Sequence, residues 1–152
     1  MNKRNTSAII RMMAITLVIA LTLPMGVSAA TVETVQPRAS DYLDSYNAYV
    51  YCAGDGAIQV WFTVTGTEYM DTLGALTIRI YESTDGTNWT WKKSFTNDTT
   101  TSMIGYNDYY YSGHVDYQGV IGRYYRAYVT IWAGKNGQGD SRYFYTSAKR
   151  AI

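Results

Sequence analysis

The chain has 152 residues with 13 Lys+Arg against 12 Asp+Glu. The first thirty residues hold three of the basic residues (Lys3, Arg4, Arg11) and no acid, so the remainder carries ten basic and twelve acidic residues, a net −2. That excludes a basic footprint for nucleic acid or anionic lipid, and the single cysteine, Cys52, excludes an intrachain disulfide.

Residues 1–30 read as a secretory signal. A basic n-region precedes the apolar run "MMAITLVIALTL" (12–23), then Pro24 and Gly26, then small residues in "VSAA" (27–30). A membrane anchor is the competing reading, but the run is short for the ~30 Å hydrocarbon core. Cleavage is expected after Ala29 or Ala30. No Cys stands at the cleavage site after the apolar run, and "SAKRAI" at the C-terminus reads as neither a sorting signal nor a hydrophobic tail. The expected product is secreted, or held non-covalently at the cell envelope, with no membrane span after signal removal.

About 122 residues then remain, the size of one domain. All 16 Tyr, four Trp and three Phe lie in this part, ample for a core. "TVETVQPRAS" (31–40) is polar and holds the only proline beyond the signal, and is expected to be a linker. A domain over 41–150 follows.

Seven strand-like stretches are expected. The first is "YNAYVYCA" (46–53), closed by "GDG". In the second, "AIQVWFTVT" (57–65), Ile58, Val60, Phe62 and Val64 share one face, a period-2 pattern. "GTEYMDTLGA" (66–75) is expected to be a loop. The third strand, "LTIRIYES" (76–83), puts Ile78 and Ile80 opposite Arg79 and Tyr81, and "TDGT" then turns into the fourth, "NWTWKKSF" (88–95). After a Thr/Asn/Asp-rich loop (96–108) come "YYYSGHVDY" (109–117), "RYYRAYVTIW" (123–132) and "SRYFYTSA" (141–148). No amphipathic helix, internal repeat or heptad is present. The expected fold is all-β, a seven-stranded antiparallel β-sandwich; a small barrel would present much the same strands.

The stretch "GVIGRYYRAYVTI" (119–131) resembles the sixth strand of fibronectin type III-like and immunoglobulin-like domains. The resemblance implies that Tyr125 packs inward and bonds back to the backbone through its hydroxyl, with Ala127, Val129 and Ile131 continuing the inward face. "IQVWFTV" resembles the second type III strand, with Phe62 where those domains keep an inward Trp, and "YESTDGTNWT" their third-strand hairpin. Phe62, Ile80, Tyr125 and Val129 are the expected structural core. The stretches "RASDYLDSY", "YESTDGTNWT", "GRYYRAYVT" and "AGKNGQGDSR" also resemble an uncharacterised family of short exported Gram-positive bacterial proteins. That likeness implies export and the sandwich fold, and no activity.

With Tyr125, Ala127, Val129 and Ile131 inward, Tyr124, Arg126, Tyr128, Thr130 and Trp132 face outward. In a type III-like order Arg79 and Tyr81 join them. The seventh strand adds Tyr143 and Tyr145, or Arg142 and Phe144, depending on register, and Trp89 and Trp91 share a face of the fourth. Such rings stabilise an exposed sheet by cross-strand pairing, ~0.2–1 kcal/mol each. They equally make a binding surface, since flat rings stack on sugar faces or partner side chains. Tyr81, Tyr124, Arg126, Tyr128 and Trp132 are the candidate ligand-binding residues.

Catalytic patterns are weak. His114 is the only histidine, flanked by Gly113 and Val115, without metal-ligand spacing, and no G-x-S-x-G occurs. A Cys52–His114 nucleophile pair competes with Cys52 as a small buried hydrophobe or a link between two chains. Asp55, Asp71, Asp85, Asp98, Asp108 and Asp140 read as turn formers, and calcium at "GDG" or "NDTTTS" falls short of an EF-hand. "STDGTNW" resembles the Asp-box hairpin of sialidase-like propellers, one residue short. The expectation is a non-enzymatic module with no metal or cofactor, binding glycan or a cell-envelope component through the aromatic face. Its alternative is a protein-interaction or structural module of the cell surface; a small hydrolase is a distant third.

Overall fold

The computed structural model describes residues 40–152. The expected signal (1–30) and linker residues 31–39 lie outside the described residues. Seven antiparallel strands are found there: β1 (Leu43–Gly54), β2 (Ala57–Ser83), β3 (Thr90–Thr96), β4 (Ile104–Gln118), β5 (Tyr124–Lys135), β6 (Gln138–Tyr145) and β7 (Lys149–Arg150). One turn of 3₁₀-helix, Thr101–Met103, leads into β4. All seven belong to one strongly curled half-barrel sheet.

The curl comes from β2. Its first half pairs with β1 on one side and β4 on the other. Its second half pairs with β3 on one side and β5 on the other. The loop expected at 66–75 is therefore strand, and the break expected between two separate sheets is absent. The Gly, Thr and Asp of "GTEYMDTLGA" read as a turn because the strand bends here and its burial period slips. The register shifts between Thr65 and Met70 against β4, and between Ala75 and Thr77 against β5; such bulges bend a strand and raise its twist. Glycine is required at the bend. Gly74 has φ +148°, and a Cβ there would lie 2.1 Å from the Met103 carbonyl oxygen.

Alternation fills the concave side. Ile58, Val60, Phe62 and Val64 of β2 are buried, as are Tyr125, Ala127, Val129, Ile131 and Ala133 of β5. Ile78 and Ile80 continue this core, and Met103 is buried at the bend. Burying each Val-, Leu-, Ile- or Phe-sized side chain contributes about 1.5–3 kcal/mol. Other boundaries also move. β4 begins at Ile104, inside the expected 96–108 loop, and β6 runs 138–145 rather than 141–148.

Two of the edge strands of the curl, β1 and β6, meet through side chains. Tyr46 of β1 and Phe144 of β6 pack with ring centroids 5.4 Å apart. Before β1, the Ser40 hydroxyl donates to Asp140 at 2.6 Å and the Tyr42 hydroxyl to Gln138 at 3.2 Å. At the other terminus β7 pairs with Tyr124 and Tyr125, Ala151 is buried, and the Gly56 N–H donates to the Ile152 carbonyl at 3.0 Å. Ordered packing thus includes Ser40 and Ala151, one residue beyond each end of the expected 41–150 span.

A candidate binding face on the outer side of the sheet

The register sets which side chains share the convex face. Arg79 lies opposite Tyr128, and Tyr81 opposite Arg126, across β2 and β5. Tyr128 lies opposite Tyr145, and Thr130 opposite Tyr143, across β5 and β6. On β3, Trp91 lies opposite Tyr81 and Ser94 opposite Arg79. The open choice at β6 is thereby decided: Tyr143 and Tyr145 face outward, and Phe144 packs against the core.

These side chains form a continuous stack. The Arg126 guanidinium lies 4.3 Å from the Trp89 ring and 4.3 Å from the Tyr145 ring. Tyr145 continues to Tyr128 at 4.8 Å and to Tyr81 at 5.9 Å, and Tyr128 to Tyr143 at 5.8 Å. Cation–π contacts of this kind contribute about 0.5–2 kcal/mol each. Tyr145 is 48% exposed and Tyr143 69%, so the stack presents ring surface to solvent. Partial burial, then the neighbouring Tyr143 and Tyr145 phenols, push the Tyr128 phenol above its ordinary value; Arg79 opposes them. The Arg126 Nε is buried and has no hydrogen-bond partner among the described residues.

Of the five residues expected to bind ligand, Tyr81, Arg126 and Tyr128 meet in this stack. Tyr124 and Trp132 sit apart from it on the same face of β5. Tyr124 packs near the Arg150 guanidinium, 5.9 Å from its ring centre. The Trp132 indole N–H donates to the Thr72 hydroxyl at 3.0 Å, and its ring covers Gly134 and Gly139. There it lines a cleft of about 230 Å³ with Asp71, Thr72, Gly134, Lys135, Gly137 and Gln138. The expected core residues Phe62, Ile80, Tyr125 and Val129 are all buried.

Trp89 was expected to share a strand face with Trp91, but it precedes β3 and turns onto Arg126. Trp91 is exposed and its indole N–H donates to Ser94 at 3.1 Å. A second aromatic row on the outer side of β1, β2 and β4 was missed. Tyr49 lies opposite Trp61, and Trp61 opposite His114, whose ring stacks on it at 4.3 Å. Gln59 accepts from the Trp61 indole at 3.0 Å and donates to Asp116 at 2.9 Å, and the His114 Nε2 is 3.6 Å from the Asp116 carboxylate. Only the pairing of β2 with β4 brings Trp61 to His114, 53 residues further along the chain.

The Cys52–His114 pair is not assembled. Cys52 packs against the core on the concave side, and burial pushes its thiol above the ordinary value, against the lowering effect of Lys149. His114 is on the convex side with Trp61. Three of the acids expected in turns, Asp71, Asp108 and Asp140, lie in strands, and Asp108 accepts from the Tyr109 amide at 2.7 Å. Asp71 accepts from the Asn136 amide at 2.7 Å, and Asp140 accepts from Ser40. Asp85 does shape its turn, accepting from Ser83, the Thr87 and Asn88 amides and the Asn88 side chain. These bonds, led by the Asn88 amide, hold its carboxyl well below the usual carboxylate range. Among the described residues no three His, Cys, Asp or Glu side chains group as metal ligands, and no helix is long and apolar enough to cross a membrane.

Compared with protein-family models, curated proteins and solved structures, the chain matches none.

Proposed function

We propose that this is an exported, non-enzymatic binding module that holds glycan or a cell-envelope component on the convex face of β3, β2, β5 and β6. The observation that carries the reading is the stack Trp89–Arg126–Tyr145–Tyr128–Tyr143, closed by Tyr81. Its rings are held in place by one another and still offer open area, the combination that suits stacking on the apolar face of a sugar. No catalytic role is attributed to Cys52 or His114, which occupy opposite faces of the sheet.

The reading extends to the fold. Counting the halves of β2 as two strands gives the neighbour orders β1–β2–β4 and β3–β2–β5–β6, which parallels a fibronectin type III-like sandwich. The Tyr125 hydroxyl accepts the Val120 N–H at 2.8 Å, in keeping with the inward tyrosine of such domains.

The test is co-sedimentation of the purified protein with cell wall and with insoluble polysaccharides, beside a Tyr143→Ala/Tyr145→Ala variant. The wild type is expected to pellet and the folded variant to stay in solution. If neither pellets, the glycan reading fails. The alternative is then a protein-interaction module of the cell surface, which the exposed Tyr106 and Tyr109 on β4 favour, since β4 pairs on one side only among the described residues.

A further inference from the structure

Resting on the glycan-binding reading above, we propose that the ligand is an acidic polysaccharide. Its hexuronate rings stack on Tyr128, Tyr143 and Tyr145, and its carboxylates are taken by Arg79 and Arg126.

The argument starts from charge. Beyond the signal the chain is net negative, with twelve acids and ten basic residues. The convex face of β3, β2, β5 and β6 runs the other way. Its outward residues, read from the register, include Arg79 and Arg126 and no Asp or Glu. Among the described residues neither arginine forms an ion pair; the ion pairs found there involve Lys92, His114 and Lys135. Each guanidinium carries five N–H donors and no acceptor, so an anion is the partner that the face lacks.

Position narrows the anion. Arg126 is clamped between the Trp89 and Tyr145 rings at 4.3 Å on each side. It is therefore already ordered, and binding does not have to freeze its rotamers. Its Nε is covered, so an incoming carboxylate meets the two terminal nitrogens, which suit a planar, two-oxygen acceptor. Arg79 stands opposite Tyr128, diagonal to Arg126, and is exposed. Rings and guanidinium groups thus alternate over one patch. A hexuronate carries its carboxylate directly on the pyranose ring, so one residue offers a stacking face and an anion at its edge. A polyol-phosphate chain offers the anion without a ring, and a neutral glucan the ring without an anion.

The probe is soluble polygalacturonate, compared with its fully methyl-esterified form and with poly(glycerol phosphate), in affinity electrophoresis or calorimetry with the purified protein. Polygalacturonate is expected to bind more tightly than the ester, and to weaken as NaCl rises from about 0.02 to about 0.3 M. Arg79→Gln is expected to weaken it roughly 3–10-fold. The ester is expected to lose less than the acid, and the circular dichroism to stay native, since Arg79 is exposed. Arg126→Lys, which keeps the charge and loses the plane, is expected to weaken it as well. Equal binding of acid and ester, or an Arg79→Gln variant that binds as wild type, overturns the acidic ligand and leaves the platform standing. Tighter binding of the polyol phosphate also overturns it. If no polysaccharide binds, acidic or neutral, the glycan reading fails with it.

Discussion

The Tyr125 hydroxyl joins the start of β5 to Glu82 at the end of β2: it donates to the Glu82 carboxylate and accepts the Val120 N–H at 2.8 Å. Lys92 adds an ion pair to the same carboxylate at 3.1 Å. Tyr125→Phe removes the hydroxyl, leaves the Val120 N–H without its acceptor and takes one donor from Glu82. The expected loss is about 1–3 kcal/mol, read from urea denaturation.

The same group makes stability pH-dependent at both extremes. Burial opposes the Glu82 charge, but bonds from Tyr125 and Lys92 and the charges of Lys92 and Arg123 outweigh it and hold the carboxyl below 4.5. A depressed carboxyl contributes stability that is present above its unfolded value and is lost as pH falls through the folded one. The Tyr125 phenol is pushed up to about 12 by burial and by Glu82. Its contribution is full below pH 10 and is lost as pH rises through about 12. Thermal melts across pH are expected to show both losses, and Tyr125→Phe to flatten the alkaline one.

Gly74→Ala is expected to cost more than about 2 kcal/mol, because both its backbone angle and its contact with the Met103 carbonyl exclude a side chain. Gly137→Ala is the comparison. It has φ +75° and open space around it, so it carries only the conformational part, about 1 kcal/mol. Equal midpoints for the two variants would contradict the bend described for β2.

Arg126→Met separates stability from binding. The substitution forfeits two cation–π contacts but also removes a buried donor without a partner. The unpaired Nε offsets part of the loss, so the variant is expected within about 1 kcal/mol of wild type. Arg126→Ala, which also opens a gap between Trp89 and Tyr145, is expected to lose more. A methionine variant as unstable as the alanine one would show that the charge, not the packing, holds the stack.

Cys52 is expected to react slowly with thiol reagents at neutral pH, because burial against the core keeps it protonated. Urea at unfolding concentrations is expected to speed labelling by about tenfold or more, and the protein to run as one chain without reductant. A fast native reaction would place the thiol at the surface.

How much was legible in the sequence differs by element. The alternation of β5 and of the first half of β2 named buried residues correctly, because a straight half-buried strand repeats every two residues. The bend of β2 was illegible, because two bulges break that period where Gly66 and Gly74 imitate a turn. The candidate face was half legible. Arg126 and Tyr128 follow from strand parity alone, and Tyr81 from parity combined with the type III-like strand order. Tyr143 and Tyr145 needed the β5–β6 register, and Trp89 needed the path of the turn before β3. Trp61 and His114 show the same limit, since no local pattern announces a cross-strand partner.

The length of β2 bears on how the protein comes apart. One strand exchanges backbone bonds with β1, β3, β4 and β5, so neither half of the sheet can peel away without the other losing its central ladder. Local opening is confined to the rim, and β2 amides open only with the whole domain. Folding in turn waits for distant segments, Tyr46 to Trp132, to converge on one template, a high-contact-order route that is slow for its size. A nick between Gly66 and Gly74 would therefore dissolve the domain rather than divide it.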